Sequence, residues 1–183
     1  MMKYSLEWLK DKFDRGDTLK YIFFWGHGTD DHSVIGKYVL SQWYQAPFIV
    51  HGVEYKTTEH WMMAEKARLF QDTEISKKII SSDKPGEVKE LGRQIRNFDQ
   101  AIWDQHKYDI VKTGNIHKFS TNRRLKEYLL STGNRVLVEA SPTDPVWGNG
   151  LAQHANQIEN PHTWKGLNLL GFSLMEVRDV LGA

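Results

Sequence analysis

Thr58-Glu59-His60-Trp61-Met62-Met63-Ala64-Glu65-Lys66-Ala67-Arg68-Leu69-Phe70 is the stretch on which the reading of this chain turns. Thr57 or Thr58 can cap it, and its composition predicts a helix running to about Phe70. Glu59 and Lys66 stand seven residues apart. At 3.6 residues per turn they share one face, roughly 10 Å apart along the axis. At three and four positions after Glu59 come Met62 and Met63, and after Lys66 come Leu69 and Phe70. Lys66 therefore lies in an apolar stripe, with no opposite charge following it at helical spacing. Two readings stay open for each residue. Glu59 is either a first-turn acid favoured by the helix dipole or a cleft carboxylate that handles a proton or a developing cation. Lys66 is either a side chain that snorkels to water or a desolvated amine with a lowered pKa, able to act as a nucleophile. His60 and Glu65 point elsewhere and read as surface or packing residues.

Outward from this helix, Pro47 to Val50 and Val53 to Tyr55 form a hairpin candidate around His51-Gly52. Tyr21 to Trp25 reads as a strand ending at Gly26-His27-Gly28, and polar Thr29 to Ser33 as a loop. Ser5 can cap a first helix that places Leu6, Leu9 and Phe13 at helical spacing. Towards the C-terminus, helices are predicted near Thr73 to Ser81, Glu87 to Arg96, Gln100 to Lys112 and Thr121 to Ser131. Gly133 stops the last, Arg135 to Ala140 reads as a strand, and a closing helix covers Ser173 to Leu181. The pattern is a helix-rich α+β fold with a few short strands. A length of 183 residues fits a single domain.

Between the last strand and the last helix lies a long polar stretch, Ser141 to Asn160, rich in Pro, Gly and Asn. Loops of that length inside a compact domain are often functional. Asp144, Trp147 and Gly148 open it, directly after a strand end. Such a loop suits a pocket, because glycine permits close backbone approach and Trp offers a stacking face. A tight turn around a buried Trp is the competing reading. Trp25 and Trp43 flank the early loop, Trp103 reads as core packing on its helix, and Asn168 is either a polar contact or a helix cap. Lys118, Arg123, Arg124 and Lys126 form a basic cluster, either a solvated face or a surface for phosphates.

Other chemistries are excluded by what is missing. The chain has no cysteine, which removes disulfides, thiolate nucleophiles and cysteine-based metal sites. Its eight His show no metal-ligand spacing, and no phosphate-binding glycine motif occurs, so neither metal nor cofactor is expected. The net charge of +1 leaves any nucleic-acid contact to a local patch. Met1 to Phe13 alternates charge with apolar residues, unlike a signal peptide. No window approaches the roughly 18 apolar residues of a membrane span. An intracellular protein, cytoplasmic or nuclear, with no membrane contact and no obligate protein partner, is expected.

Read in order, these segments resemble the NADAR family, also called YbiA-like, from Tyr21 to Leu181. The matching elements are Phe23-Phe24-Trp25, Ser41 to Phe48, Thr58-Glu59-His60 with Glu65-Lys66-Ala67, and Leu91-Gly92-Arg93 with Trp103-Asp104. Leu137 to Ala140 follow, then Asp144 with Trp147 to Gly150, and Asn168 to Gly171 with Leu174 to Arg178. Gln42 departs from the pattern, standing where many members have Asn. The N-terminal helix, within residues 1–20, lies outside it.

The resemblance implies cofactor-independent enzymes of YbiA-like fold that cleave N-glycosidic bonds of ribose derivatives. It assigns catalytic and binding positions to Glu59, Lys66, Trp103, Asp144 and Trp147. Trp25, Trp43, Gly148 and Asn168 complete the expected binding set. Three functions follow. One is removal of ADP-ribose from guanine in DNA or nucleotides, with a modified DNA strand as a further partner. Another is cleavage of phosphoribosylamino-pyrimidine intermediates of riboflavin synthesis. The last is a non-catalytic ADP-ribose-binding module. Intact Glu59, Lys66 and Asp144 argue against the last, since a binder needs no reactive amine. The basic cluster and the abundant aromatics favour the first.

Overall fold

A computed structural model describes residues 2–26 and 35–183. The expected loop at Thr29 to Ser33, with His27 and Gly28 before it, lies outside these residues. In chain order the elements are α1 (Leu6–Asp14), β1 (Tyr21–Phe24), β2 (Phe48–Val50), β3 (Val53–Tyr55), α2 (Thr58–Leu69) and α3 (Thr73–Ser81). They continue with α4 (Pro85–Arg93), α5 (Gln100–Thr121), α6 (Arg123–Ser131), β4 (Val136–Glu139) and α7 (Leu169–Gly182). The fold is helix-rich α+β, as expected. No helix among the described residues is long and apolar enough to cross a membrane. The chain forms two compact units, Gln42–Arg123 and Met1–Ser41 with Arg124–Ala183.

The first unit is built around α2. Thr57 caps it, its hydroxyl accepting from the His60 N–H. Thr58 through Ala64, with Ala67, are buried, because α3, α4, α5 and β3 pack around the helix. A helix enclosed on most sides needs no strong amphipathic stripe. The β2–β3 hairpin pairs Phe48 with Tyr55. His51 and Gly52 both take positive φ, 50° and 80°, as a two-residue turn matched to strand twist requires. Phe48, Tyr55, Trp61 and His117 then form an aromatic core, and the Trp61 indole N–H donates to the Ile110 carbonyl at 2.9 Å.

Two boundaries here differ from expectation. The helix predicted from Glu87 begins at Pro85, whose fixed φ and missing N–H suit a first helical position, and ends at Arg93. Beyond it, Arg96 is drawn to Asp72 by its backbone N–H (3.0 Å) and its guanidinium (2.8 Å). The helix from Gln100 does not stop near Lys112 but continues to Thr121. Gly114 sits within it as a packing device. A Cβ there would meet Trp61 Cδ1 at 2.4 Å.

In the other unit, β1 and β4 pair in parallel, Tyr21 with Val136 through Phe24 with Glu139. α7 lies against β4 so closely that a Cβ on Gly171 would fall 2.0 Å from the Leu137 carbonyl oxygen. α7 begins at Leu169, earlier than the expected Ser173. Asn168 turns the chain into it with φ 53° and ψ 37°, a left-handed conformation that Asn tolerates. Ser5 caps α1 through the Trp8 N–H, as expected. The N-terminal segment is tied to α7 by Lys3 and Tyr4, whose side chains both reach Asp179.

Candidate active site

Within Gln42–Arg123 the structure brings together Glu59, Lys66 and Trp103. Glu59 lies in the first turn of α2 and is only 3% exposed. Its N–H donates to the Gln42 carbonyl at 3.0 Å, and the Thr58 hydroxyl donates to the same oxygen at 3.2 Å. Gln42 is itself buried, and its side-chain carbonyl accepts from Asn115 Nδ2 at 3.1 Å. Gln42 thus ties the start of α2 to α5. This chain of bonds fixes the entry to α2.

Lys66 is half-buried. Its Nζ donates to the Gly92 carbonyl at 3.0 Å and lies 4.3 Å from the Phe98 ring centroid and 5.6 Å from that of Trp103. Burial lowers its pKa below the ordinary 10.5, and the negative charge of Glu59 works in the opposite direction. The direction expected from the apolar stripe is therefore present, but the environment is more specific than a stripe. A carbonyl and two ring faces hold the amine in place. Gly92 and Phe98 were invisible to helical spacing, because both come from chain well beyond α2. Trp103 is 8% exposed, so the packing reading and the proximity to Lys66 both apply. Trp43 is half-buried over Gly86, where a Cβ would lie 3.7 Å from its ring. His60 is fully buried between the Thr57 hydroxyl (2.9 Å) and the Ser82 carbonyl (3.1 Å), and burial lowers its pKa towards the neutral ring.

Within the other unit, Asp144 and Trp147 are joined directly. Asp144 Oδ1 accepts the N–H of Val146 at 3.1 Å and that of Trp147 at 2.9 Å, so the carboxylate organises the turn that presents the indole. Both residues remain partly exposed. Gly148 is buried, and a Cβ on it would approach the Glu139 carbonyl oxygen and Ser141 Cβ at 2.9 Å each. Its close approach is to its own chain. The loop is braced from behind by Leu167 and Asn168, whose N–H groups donate to the carbonyls of Pro145 and Gly148 at 2.9 Å. Trp25, at the end of β1, is 54% exposed.

Two residues have surroundings that the sequence alone did not show. Asn168, expected to bind substrate, is fully buried, and both ends of its amide serve β4. Nδ2 donates to the Leu137 carbonyl and Oδ1 accepts from the Glu139 N–H, each at 2.9 Å. It acts as a bridge holding the strand. Lys118, placed by sequence in a basic surface cluster, is 1% exposed, with its Nζ 5.2 Å from the Phe119 ring and 5.7 Å from that of Tyr44. Burial lowers its pKa to about 7. Arg123 and Arg124 are exposed.

Comparison with known proteins adds a lineage to this geometry. The NADAR domain family matches residues 23–182. The chain is 46% identical over 169 residues to the N-glycosidase R617 of Acanthamoeba polyphaga mimivirus, covering 89% of this chain and 97% of that protein. It is 34% identical over 134 residues to the chloroplastic riboflavin biosynthesis protein PYRR of Zea mays, covering 69% of this chain and 20% of that longer protein. The NMR structure of the E. coli protein YbiA shares the fold, with a TM-score of 0.67 at 24% identity over 90% of this chain and 88% of that one.

Proposed function

Because the chain belongs to the NADAR family, we propose that it is an N-glycosidase that removes ADP-ribose from guanine, in DNA or in nucleotides, without a cofactor. The observation that carries this reading is Lys66. It is an amine of lowered pKa, held by Gly92, Phe98 and Trp103, on the same helix as a buried carboxylate. The 46% identity to a protein named an N-glycosidase supports the reaction class.

The chemistry follows from those groups. As the bond between the anomeric carbon and the base nitrogen breaks, the Lys66 amine bonds to that carbon and the departing base takes a proton. The bond from that carbon to the ring oxygen then breaks, the ring oxygen takes a proton, and the opened sugar is held as a Schiff base. Water then adds to the imine and releases the sugar, restoring the amine. Glu59 moves the protons in both halves. Trp43, in the same unit, offers an aromatic face to a base. The competing route is direct attack by water on an oxocarbenium-like carbon, with Glu59 as general base and Lys66 only binding phosphate.

A second reading, cleavage of phosphoribosylamino-pyrimidine intermediates, is favoured by the similarity to PYRR. Incubating the purified chain with each substrate class and following release of free base decides between them. The proposal expects guanine release at a rate at least tenfold above pyrimidine release, and loss of both in Lys66→Ala. Pyrimidine release alone would overturn the guanine reading. Neither release, in folded protein that still binds ADP-ribose, would leave the non-catalytic module.

A further inference from the structure

Residues 2–20 lie outside the stretch that the NADAR domain matches, yet they build one wall of a cavity of about 550 Å³. The cavity lies wholly within the unit Met1–Ser41 with Arg124–Ala183. Trp8 and Lys20 come from the N-terminal segment, while Val136, Met175 and Arg178 come from β4 and α7. The latter three are buried, and Lys20 stands exposed at the rim. A volume of this size is typical of small-molecule sites, which combine apolar walls with a few placed charges.

The charges are not balanced internally. Lys12 pairs with Asp17 at 2.7 Å, and Lys3 and Tyr4 both reach Asp179. That leaves Lys20 and Arg178 with no carboxylate in ion-pair contact among the described residues, Arg178 being attracted only at longer range by Asp179, which Lys3 and Tyr4 already engage. Arg178 is 7% exposed. Its Nη1 donates to the Thr132 hydroxyl and the Arg135 carbonyl, each at 2.9 Å. Its other three N–H groups have no hydrogen-bond partner among the described residues. Anchoring the start of β4 explains Nη1 but not a buried guanidinium with donors to spare on a cavity wall. Trp8 adds a partly exposed ring, met by the edge of Tyr4 at 4.8 Å and with Lys12 Nζ 5.7 Å from its centroid.

We propose that this cavity is a second binding site, for a small organic anion that carries a flat ring. The anionic head meets Arg178 and Lys20, and the ring lies against Trp8. Planar guanidinium recognition suits a phosphate or carboxylate head, and the indole suits any aromatic body. A nucleoside monophosphate has both parts in one molecule.

The test uses AMP, inorganic phosphate and adenosine as probes on the full chain, with the indole N–H resonance of Trp8 assigned by its loss in Trp8→Phe. AMP is expected to shift that resonance saturably and at least tenfold more tightly than phosphate or adenosine. Lys20→Glu is expected to weaken AMP at least tenfold. Arg178→Ala risks the anchor of β4, so the rim variant carries the test. Lys66→Ala is expected to leave the Trp8 response unchanged, which separates this cavity from the proposed glycosidase chemistry. An unshifted Trp8 resonance at millimolar AMP would overturn the proposal. So would an equal response in Lys20→Glu, or adenosine binding as tightly as AMP.

Discussion

Lys66 and Lys118 both project from helices in the same unit, but their surroundings ask different things of them. Lys66 is half-buried and reaches a carbonyl and two rings, while Glu59 pulls its pKa back up against desolvation. Lys118 is enclosed, and desolvation brings its pKa to about 7. The consequence for stability has a definite sign. Between about pH 7 and 10.5 the unfolded chain holds a proton on Lys118 that the folded chain does not, so unfolding free energy rises with pH across that window. Urea titrations at pH 7 and pH 9.5 should show that rise in the wild type and a smaller one in Lys118→Met, which should be at least as stable at pH 7. An equal rise in both would show that Lys118 is not its source. The burial of Lys118 was in fact latent in the sequence. Tyr108, Val111, Asn115 and Lys118 recur at helical spacing on α5, and all four are buried. The neighbouring cations Arg123, Arg124 and Lys126 point the other way, towards a solvated face.

Elements with a capping side chain were legible, and those shaped by a close approach were not. Ser5 and Thr57 cap their helices as expected, Asp72 and Asp99 cap the helices that start where the sequence placed them, and His51-Gly52 marks the hairpin. The expected end of α5 near Lys112 falls just before Gly114, whose role as clearance for Trp61 depends on a helix distant in sequence. The seven-residue spacing of Glu59 and Lys66 was readable for the same reason that caps are, since it is local. The commitment of Asn168 to β4 was not, since it spans about thirty residues of chain. Gly171 makes the sharpest test of close packing. A methyl there would meet the Leu137 carbonyl oxygen at 2.0 Å, and backbone cannot swing aside as a side chain can. Gly171→Ala should cost roughly 2–3 kcal/mol in spite of the better helix propensity of Ala, because overpacking outweighs it. Denaturant unfolding of the variant at unchanged stability would show that α7 can slide on β4.

On the scale of the whole molecule, the net charge of +1 gives no general attraction to a polyanion, so any strand contact has to be local. Arg123 and Arg124 are the exposed members of the basic cluster at the start of α6. If they steer a DNA strand, turnover on an ADP-ribosylated oligonucleotide should fall with salt more steeply than turnover on the modified mononucleotide. Equal salt dependence would remove the strand contact and leave the nucleotide as substrate. The central claim is that this molecule breaks the glycosidic bond through a covalent bond to its own lysine. It is tested most directly by the intact mass of the protein after borohydride is added during turnover on guanine-linked ADP-ribose. The predicted result is a single reduced ADP-ribosyl adduct, located at Lys66 by peptide mapping and absent from Lys66→Ala. Guanine release with no adduct, together with a Lys66→Ala variant that keeps most of its activity, would contradict it.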